Sequence, residues 1–106
     1  MKPITFTQHV HALVRQVPAG RVTTYRDIAY ALGTGACRAV GQAMRRSPGM
    51  PDVPCHRVIS SDGTIGGFFG ETEGQGIQVK IAMLEAEGVM VEDCKVVGFE
   101  RKRHAF

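Results

Sequence analysis

The first half of the chain is cut into short pieces by its own helix breakers. Pro18-Ala19-Gly20, Gly33-Thr34-Gly35 and Ser47-Pro48-Gly49 separate three segments, each long enough only for a brief amphipathic helix. The first opens on Thr5-Phe6-Thr7-Gln8, the pattern of a capping box, with Thr5 as N-cap and Gln8 reaching back from N3. Phe6, Val10, Leu13, Val14 and Val17 then recur at helical spacing, which predicts a helix over Phe6 to Gln16. Arg21-Val22-Thr23 reads as a short extended connector. Thr24 is placed to cap a second helix, with Asp27 near its positive end. That helix carries Ile28, Ala29 and Leu32 inward and stops at Gly33. Ala36 to Arg46 reads as a third, with Ala39, Val40, Ala43 and Met44 on its buried side.

Two short helices joined by a glycine-containing turn fit a helix-turn-helix, and fit a plain helical hairpin equally well. Small residues at Ala36, Ala39, Gly41 and Ala43 allow the third helix to approach a neighbour or a ligand closely, while Arg38, Gln42 and Arg45 project from it. The formal charge of +3 is a mild bias towards polyanions, but arginine is concentrated in the first 57 residues and acid falls mostly after Glu71. With 106 residues, 43% hydrophobic and 22% charged, the composition is that of one globular domain. No apolar run approaches a membrane span, and Met1-Lys2-Pro3 is not followed by a signal-peptide core. The expectation is a cytoplasmic protein, or a nuclear one in a eukaryote, working as a monomer without a membrane.

After Pro51, His56 to Ser60 is rich enough in Val and Ile for a short strand, Asp62-Gly63 is a hairpin turn signal, and Thr64-Ile65 is placed to return as its partner. Gly66, Gly67, Gly70, Gly74 and Gly76 stud a loop bearing Phe68 and Phe69, which suits a lid or a wall for a planar ligand, or simple core packing. Ile77 to Glu87 forms a last long helix with the stripe Ile77, Ile81 and Leu84 and Gly88 as terminator. Val89 to Val91 and Lys95 to Phe99 are expected as a short strand or extended tail, with Glu100 to His104 frayed. The fold class is therefore α+β and mostly helical, a single domain over residues 1–106.

Chemistry concentrates at Pro54-Cys55-His56-Arg57-Val58. No Cys-x-x-Cys occurs and His9 and His11 diverge on their helix, so no metal and no cofactor is expected. Three isolated cysteines are expected as reduced thiols, with Cys37 and Cys94 as small core residues. Cys55 differs, because a histidine and an arginine follow it where a loop enters a strand. Such neighbours favour the thiolate and offer a proton acceptor, though on physics alone Cys55 is either a nucleophile or a buried thiol.

These residues, with others in order along the chain, resemble the O6-alkylguanine-DNA alkyltransferases, the methylated-DNA–protein-cysteine methyltransferases. Pro54-Cys55-His56-Arg57-Val58 resembles the active-site signature of that family. Arg21 to Tyr25 is similar to the segment entering its helix-turn-helix, Arg38 to Met44 to its recognition helix, Ser61 to Phe68 to its substrate loop, and Leu84 to Val89 to the helix end bearing its acidic residue. The resemblance runs from about Thr5 to Val91 and implies a winged-helix-like domain with a short β-hairpin. It implies that Cys55 takes the alkyl group from O6 of guanine in duplex DNA, that His56 relays the thiol proton through a water towards Glu87, and that Tyr25 hydrogen-bonds the departing purine. It implies that Thr24, Ala36, Arg38, Gln42 and Arg45 contact DNA from the minor groove, Arg38 filling the gap left by the flipped base. Pro54, Val58, Ile65, Gly66, Phe68 and Phe69 would line the substrate pocket.

Departures from the family pattern are visible too. Only four residues precede Thr5 where the family usually carries a further domain, Ser47 stands where an asparagine is common, and Phe68-Phe69-Gly70 replaces a familiar tyrosine and serine in a longer loop. The small size also resembles the alkyltransferase-like proteins, which bind alkylated guanine without repairing it and flag it for excision-repair proteins. Those carry tryptophan or alanine at the cysteine position, against which Cys55 stands. A helix-turn-helix regulator would leave Cys55, His56 and Glu87 idle.

Overall fold

In a computed structural model of the chain, the described residues are 5–45, 53–65 and 75–106. They form helices α1 (Phe6–Arg15), α2 (Tyr25–Ala31), α3 (Cys37–Arg45), α4 (Gln75–Ala86) and α5 (Phe99–Lys102), with strands β1 (Thr23–Thr24), β2 (Val58–Ile59), β3 (Val91–Glu92) and β4 (Lys95–Val96). A 3-10 turn, Cys55–Arg57, leads directly into β2. Gly66, Phe68 and Phe69, expected to line the pocket, and Ser47 lie outside the described residues.

The local signals at the ends of α1, α2 and α4 are used. At α1, Gln8 N donates to Thr5 Oγ1 (3.2 Å) and Thr5 N to Gln8 Oε1 (2.9 Å), closing the capping box. At α2, Asp27 N donates to Thr24 Oγ1 (3.0 Å). Gly33, with φ +75°, ends α2 in a Schellman motif: Gly33 N bonds Tyr30 O (2.9 Å) and Thr34 N bonds Ala29 O (2.9 Å). The C-terminus of α4 repeats the device, with Gly88 at φ +88°, Gly88 N on Glu85 O (3.0 Å) and Val89 N on Leu84 O (2.9 Å). Glu87 is thereby fixed in the turn that immediately follows α4.

Two buried clusters lie on either side of β2. Val10, Val14, Ile28, Ala29, Val40 and Ala43 from α1, α2 and α3 pack together with Val58. Val22, Ile77, Leu84, Val89 and Val96 pack together with Ile59 and Ile65. Successive strand residues point to opposite faces, so Val58 and Ile59 serve one cluster each. His11, buried on α1, ties that helix to the end of α3 through its Nε2 and Ala43 O (3.1 Å).

The structure corrects the expected pairing of residues 56–65. The turn is present, with Gly63 N on Ser60 O (3.0 Å) and Asp62 Oδ1 accepting from Thr64 N (3.0 Å) and Thr64 Oγ1 (2.7 Å). β2, however, pairs in parallel with β1, Thr23 opposite Val58 and Thr24 opposite Ile59, while Thr64 bridges to Lys95. A strand buried on both faces needs a buried partner, and β1 supplies one that the surface turn cannot. The antiparallel hairpin is instead β3–β4, with Val91 opposite Val96. Its two-residue turn, Asp93 and Cys94, has φ +50° and +62°, which matches the strand twist.

Two more expectations are overturned at this end. Cys94 is exposed in that turn, not a core thiol, because both turn residues point outward. Glu100 to His104 is not frayed. Val22 N bonds Lys102 O (2.9 Å) and His104 N bonds Val22 O (2.7 Å), while Arg103 holds Asp27 through Nε–Oδ2 (2.7 Å) and Nη2–Oδ1 (2.6 Å). Backbone pairing and a bidentate ion pair dock the segment on α2, neither of which the polar sequence announces.

Candidate active site and nucleic-acid interface

Val53 and Pro54 bring the chain into the 3-10 turn, where Cys55 N bonds Val53 O (2.8 Å) and Arg57 N bonds Pro54 O (3.0 Å). Three residues per turn send the consecutive side chains of Cys55, His56 and Arg57 in three directions. Cys55 is half-buried and packs against the cluster containing Val58. His56 is buried, and its Nε2 lies 3.0 Å from Glu87 Oε2. Adjacency in sequence thus becomes a line running from the thiol turn to the end of α4.

Arg57 competes for the same carboxylate. Its Nε donates to Glu87 Oε1 (3.0 Å) and its Nη2 to Glu87 Oε2 (2.5 Å), while Nη1 donates to Val17 O (2.8 Å). The Arg57 hydrogen bonds hold the Glu87 carboxyl below its ordinary value against the opposing effect of burial, and the His56 contact adds to them. Glu87 is therefore anionic and oriented. Asp27 is likewise held below the ordinary carboxylate range, chiefly by Arg103.

One ionisable group near the thiol was missed in the sequence. Lys80 on α4 is fully buried, and its Nζ donates to Val58 O (2.7 Å). Burial pushes its ammonium down to about 7, opposed by the nearby Cys55. A signal existed: Ile77, Lys80, Ile81 and Leu84 follow helical i, i+3, i+4, i+7 spacing, so a lysine stood on the apolar stripe.

The helix-turn-helix residues fall into two groups. Arg38 and Gln42 are exposed one turn apart on α3, Arg45 is its last residue, and Ala36 is exposed just before it. Tyr25, half-buried as the first residue of α2, packs on the same cluster as Cys55. Thr24 is fully buried, and its hydroxyl is occupied in capping α2. Of the expected pocket residues, Pro54 is half-buried, whereas Val58 and Ile65 have buried side chains, one in each cluster. Among the described residues, no group of three or more His, Cys, Asp or Glu could hold a metal, and no helix is long and apolar enough to cross a membrane.

Known proteins resemble this chain in sequence and fold. Residues 5–89 match the family described as 6-O-methylguanine DNA methyltransferase, DNA binding domain. A methylated-DNA–protein-cysteine methyltransferase of Saccharolobus solfataricus is 41% identical over 93 residues, covering 88% of this chain and 57% of the relative. The chain thus spans little more than half the length of that relative, and 33% of a bifunctional methyltransferase/endonuclease of Picrophilus torridus to which it is 36% identical over 107 residues. Among solved structures, Atl1 of S. pombe in complex with damaged DNA containing O6-carboxymethylguanine superposes with a TM-score of 0.81 at 32% identity, covering 100% of both chains. OGT of Mycobacterium tuberculosis in complex with DNA superposes with a TM-score of 0.68 at 39% identity, covering 81% of this chain and 51% of that one. The sequence motifs, the α+β fold and the match over residues 5–89 place the chain in the 6-O-methylguanine DNA methyltransferase family.

Proposed function

We propose that the protein binds duplex DNA containing O6-alkylguanine and moves the alkyl group to Cys55 Sγ in a single, irreversible turnover. The observation that carries this reading is the contact of His56 Nε2 with the ionised Glu87, next to a half-buried Cys55. An imidazole oriented by a carboxylate is equipped to accept the thiol proton through a water. The thiolate then attacks the alkyl carbon, the S–C bond forming as the C–O6 bond breaks. The released electron pair passes into the purine, whose charge the Tyr25 hydroxyl would stabilise. Guanine regains a proton at N1 as the thiol loses one, so the exchange balances. Exposed Arg38 and Gln42 supply the DNA face, with Arg38 as the wedge that replaces the flipped base. Sequence-tolerant minor-groove binding suits a protein that must inspect every guanine.

A second reading has its own support. The superposition on Atl1 covers the whole of both chains, so a protein that binds the lesion and passes it to excision-repair proteins is the alternative. One experiment separates the two. The protein is incubated with a duplex containing O6-methylguanine, and the tryptic peptide holding Cys55 is weighed. Transfer gives a stoichiometric gain of one methyl group that vanishes in Cys55→Ala. Tight lesion binding with an unmodified peptide sinks the transferase reading. As a control on the DNA face, Arg38→Ala is expected to slow repair while leaving the reaction of Cys55 with a small thiol reagent unchanged.

A further inference from the structure

All three donor nitrogens of Arg57 are engaged, and they connect elements far apart in sequence. Nε and Nη2 grip the two oxygens of Glu87, and Nη1 is anchored on Val17 O, just beyond the end of α1. A guanidinium held on a carboxylate at two points fixes the plane of that carboxylate, which a single contact would not. The Schellman motif fixes the backbone of Glu87 but leaves its side chain free to turn. The orientation that puts Oε2 beside His56 Nε2 is therefore set from outside α4.

We propose that Arg57 is a positioning residue for the proton relay, holding Glu87 ionised with Oε2 turned towards His56. The proposal rests on the transfer reading given above. Glu87 needs such help because it sits at the negative end of the α4 dipole and is partly buried, both of which favour its neutral form. A protonated Glu87 would no longer accept the His56 N–H. With Glu87 ionised, Nε2–H is kept in place, and Nδ1 is the ring nitrogen left to receive the thiol proton. Among the described residues, the charged or titratable groups facing the carboxylate are His56 and Arg57 from the 3-10 turn. The segment after α1 presents the Val17 carbonyl to Arg57, and Lys80 on α4 is directed to Val58 O.

The test compares wild type, Arg57→Met and Arg57→Lys. Methyl transfer to Cys55 is followed against pH, affinity for the lesion duplex is measured in parallel, and the wild-type Glu87 carboxyl is titrated by carbon-13 NMR. Arg57→Met is expected to transfer about tenfold more slowly at neutral pH, a loss typical of a weakened acid–base relay. The acid limb of its profile should move up by about one pH unit, because Glu87 then protonates at higher pH. Arg57→Lys should restore part of both, with lesion affinity unchanged throughout. An Arg57→Met protein with the wild-type pH profile overturns the proposal, whatever its stability. If that variant does not fold, a wild-type Glu87 titrating at or above the ordinary glutamate value overturns it instead. Failure of wild type to methylate Cys55 would remove the transfer reading while the NMR titration still decides the role of Arg57.

Discussion

At the scale of single residues, the buried lysine yields the sharpest expectation. Lys80 titrates near 7 in the folded chain and near 10.4 when unfolded, so between those values the unfolded state binds more protons. Stability should therefore rise with pH across that window, by up to about 1.4 kcal/mol per unit. In Lys80→Met the slope should disappear, which urea denaturation at pH 7 and pH 9 would reveal. The same variant removes a cation from beside Cys55, and its reaction with a small alkylating reagent at neutral pH should slow by about threefold or more. What the sequence disclosed at this scale was uneven. Cys55 and His56 drew attention because they are neighbours, and Glu87 because it resembles a family position. Arg57 entered only as a cationic neighbour of the thiol and Lys80 not at all, since a guanidinium that reaches Val17 and Glu87, or an amine that ends on Val58 O, is defined by partners far along the chain.

At the scale of elements, the four longer helices were legible because their ends are written locally, whereas α5 was read as extended and frayed chain. Thr5 with Gln8, Thr24 with Asp27, and Gly33 and Gly88 each act within a few residues of themselves. Thr24 illustrates the energetic side, since it ends β1 and caps α2 with a buried hydroxyl. Thr24→Ala should cost about 1–2 kcal/mol in urea denaturation, whereas Thr24→Ser should keep most of that cap. Because Tyr25 is the next residue, the alanine variant is also expected to loosen the position of the tyrosine and slow transfer. The strands were less legible for a physical reason. Each is two residues long, so alternation has no length over which to register, and the partner is chosen by burial rather than by the nearest turn. Val58-Ile59 thus passed over Thr64-Ile65 for Thr23-Thr24.

At the scale of the whole molecule, the C-terminal segment is the brace. Arg103 grips Asp27 while residues 102 and 104 pair with Val22, so the polar tail closes over the start of α2. Arg103→Ala should cost about 1 kcal/mol, the modest figure proper to a partly exposed pair. Hydrogen exchange at Val22 and His104 should quicken together. The wild-type contribution is present above the ordinary aspartate value and fades as pH falls through the lower value of Asp27 in the folded chain, so the two proteins should converge in acid. This pairing also orders events during synthesis. Val22 is made early, yet its backbone finds its partners only after Lys102 and His104 exist, and β1 must wait for Val58. The three N-terminal helices therefore emerge from the ribosome with an open edge and a half-covered core. A nascent chain stalled before residue 102 would offer that edge to chaperones and proteases, and would reach its guarded state only once residues 102–104 are free to pair with Val22.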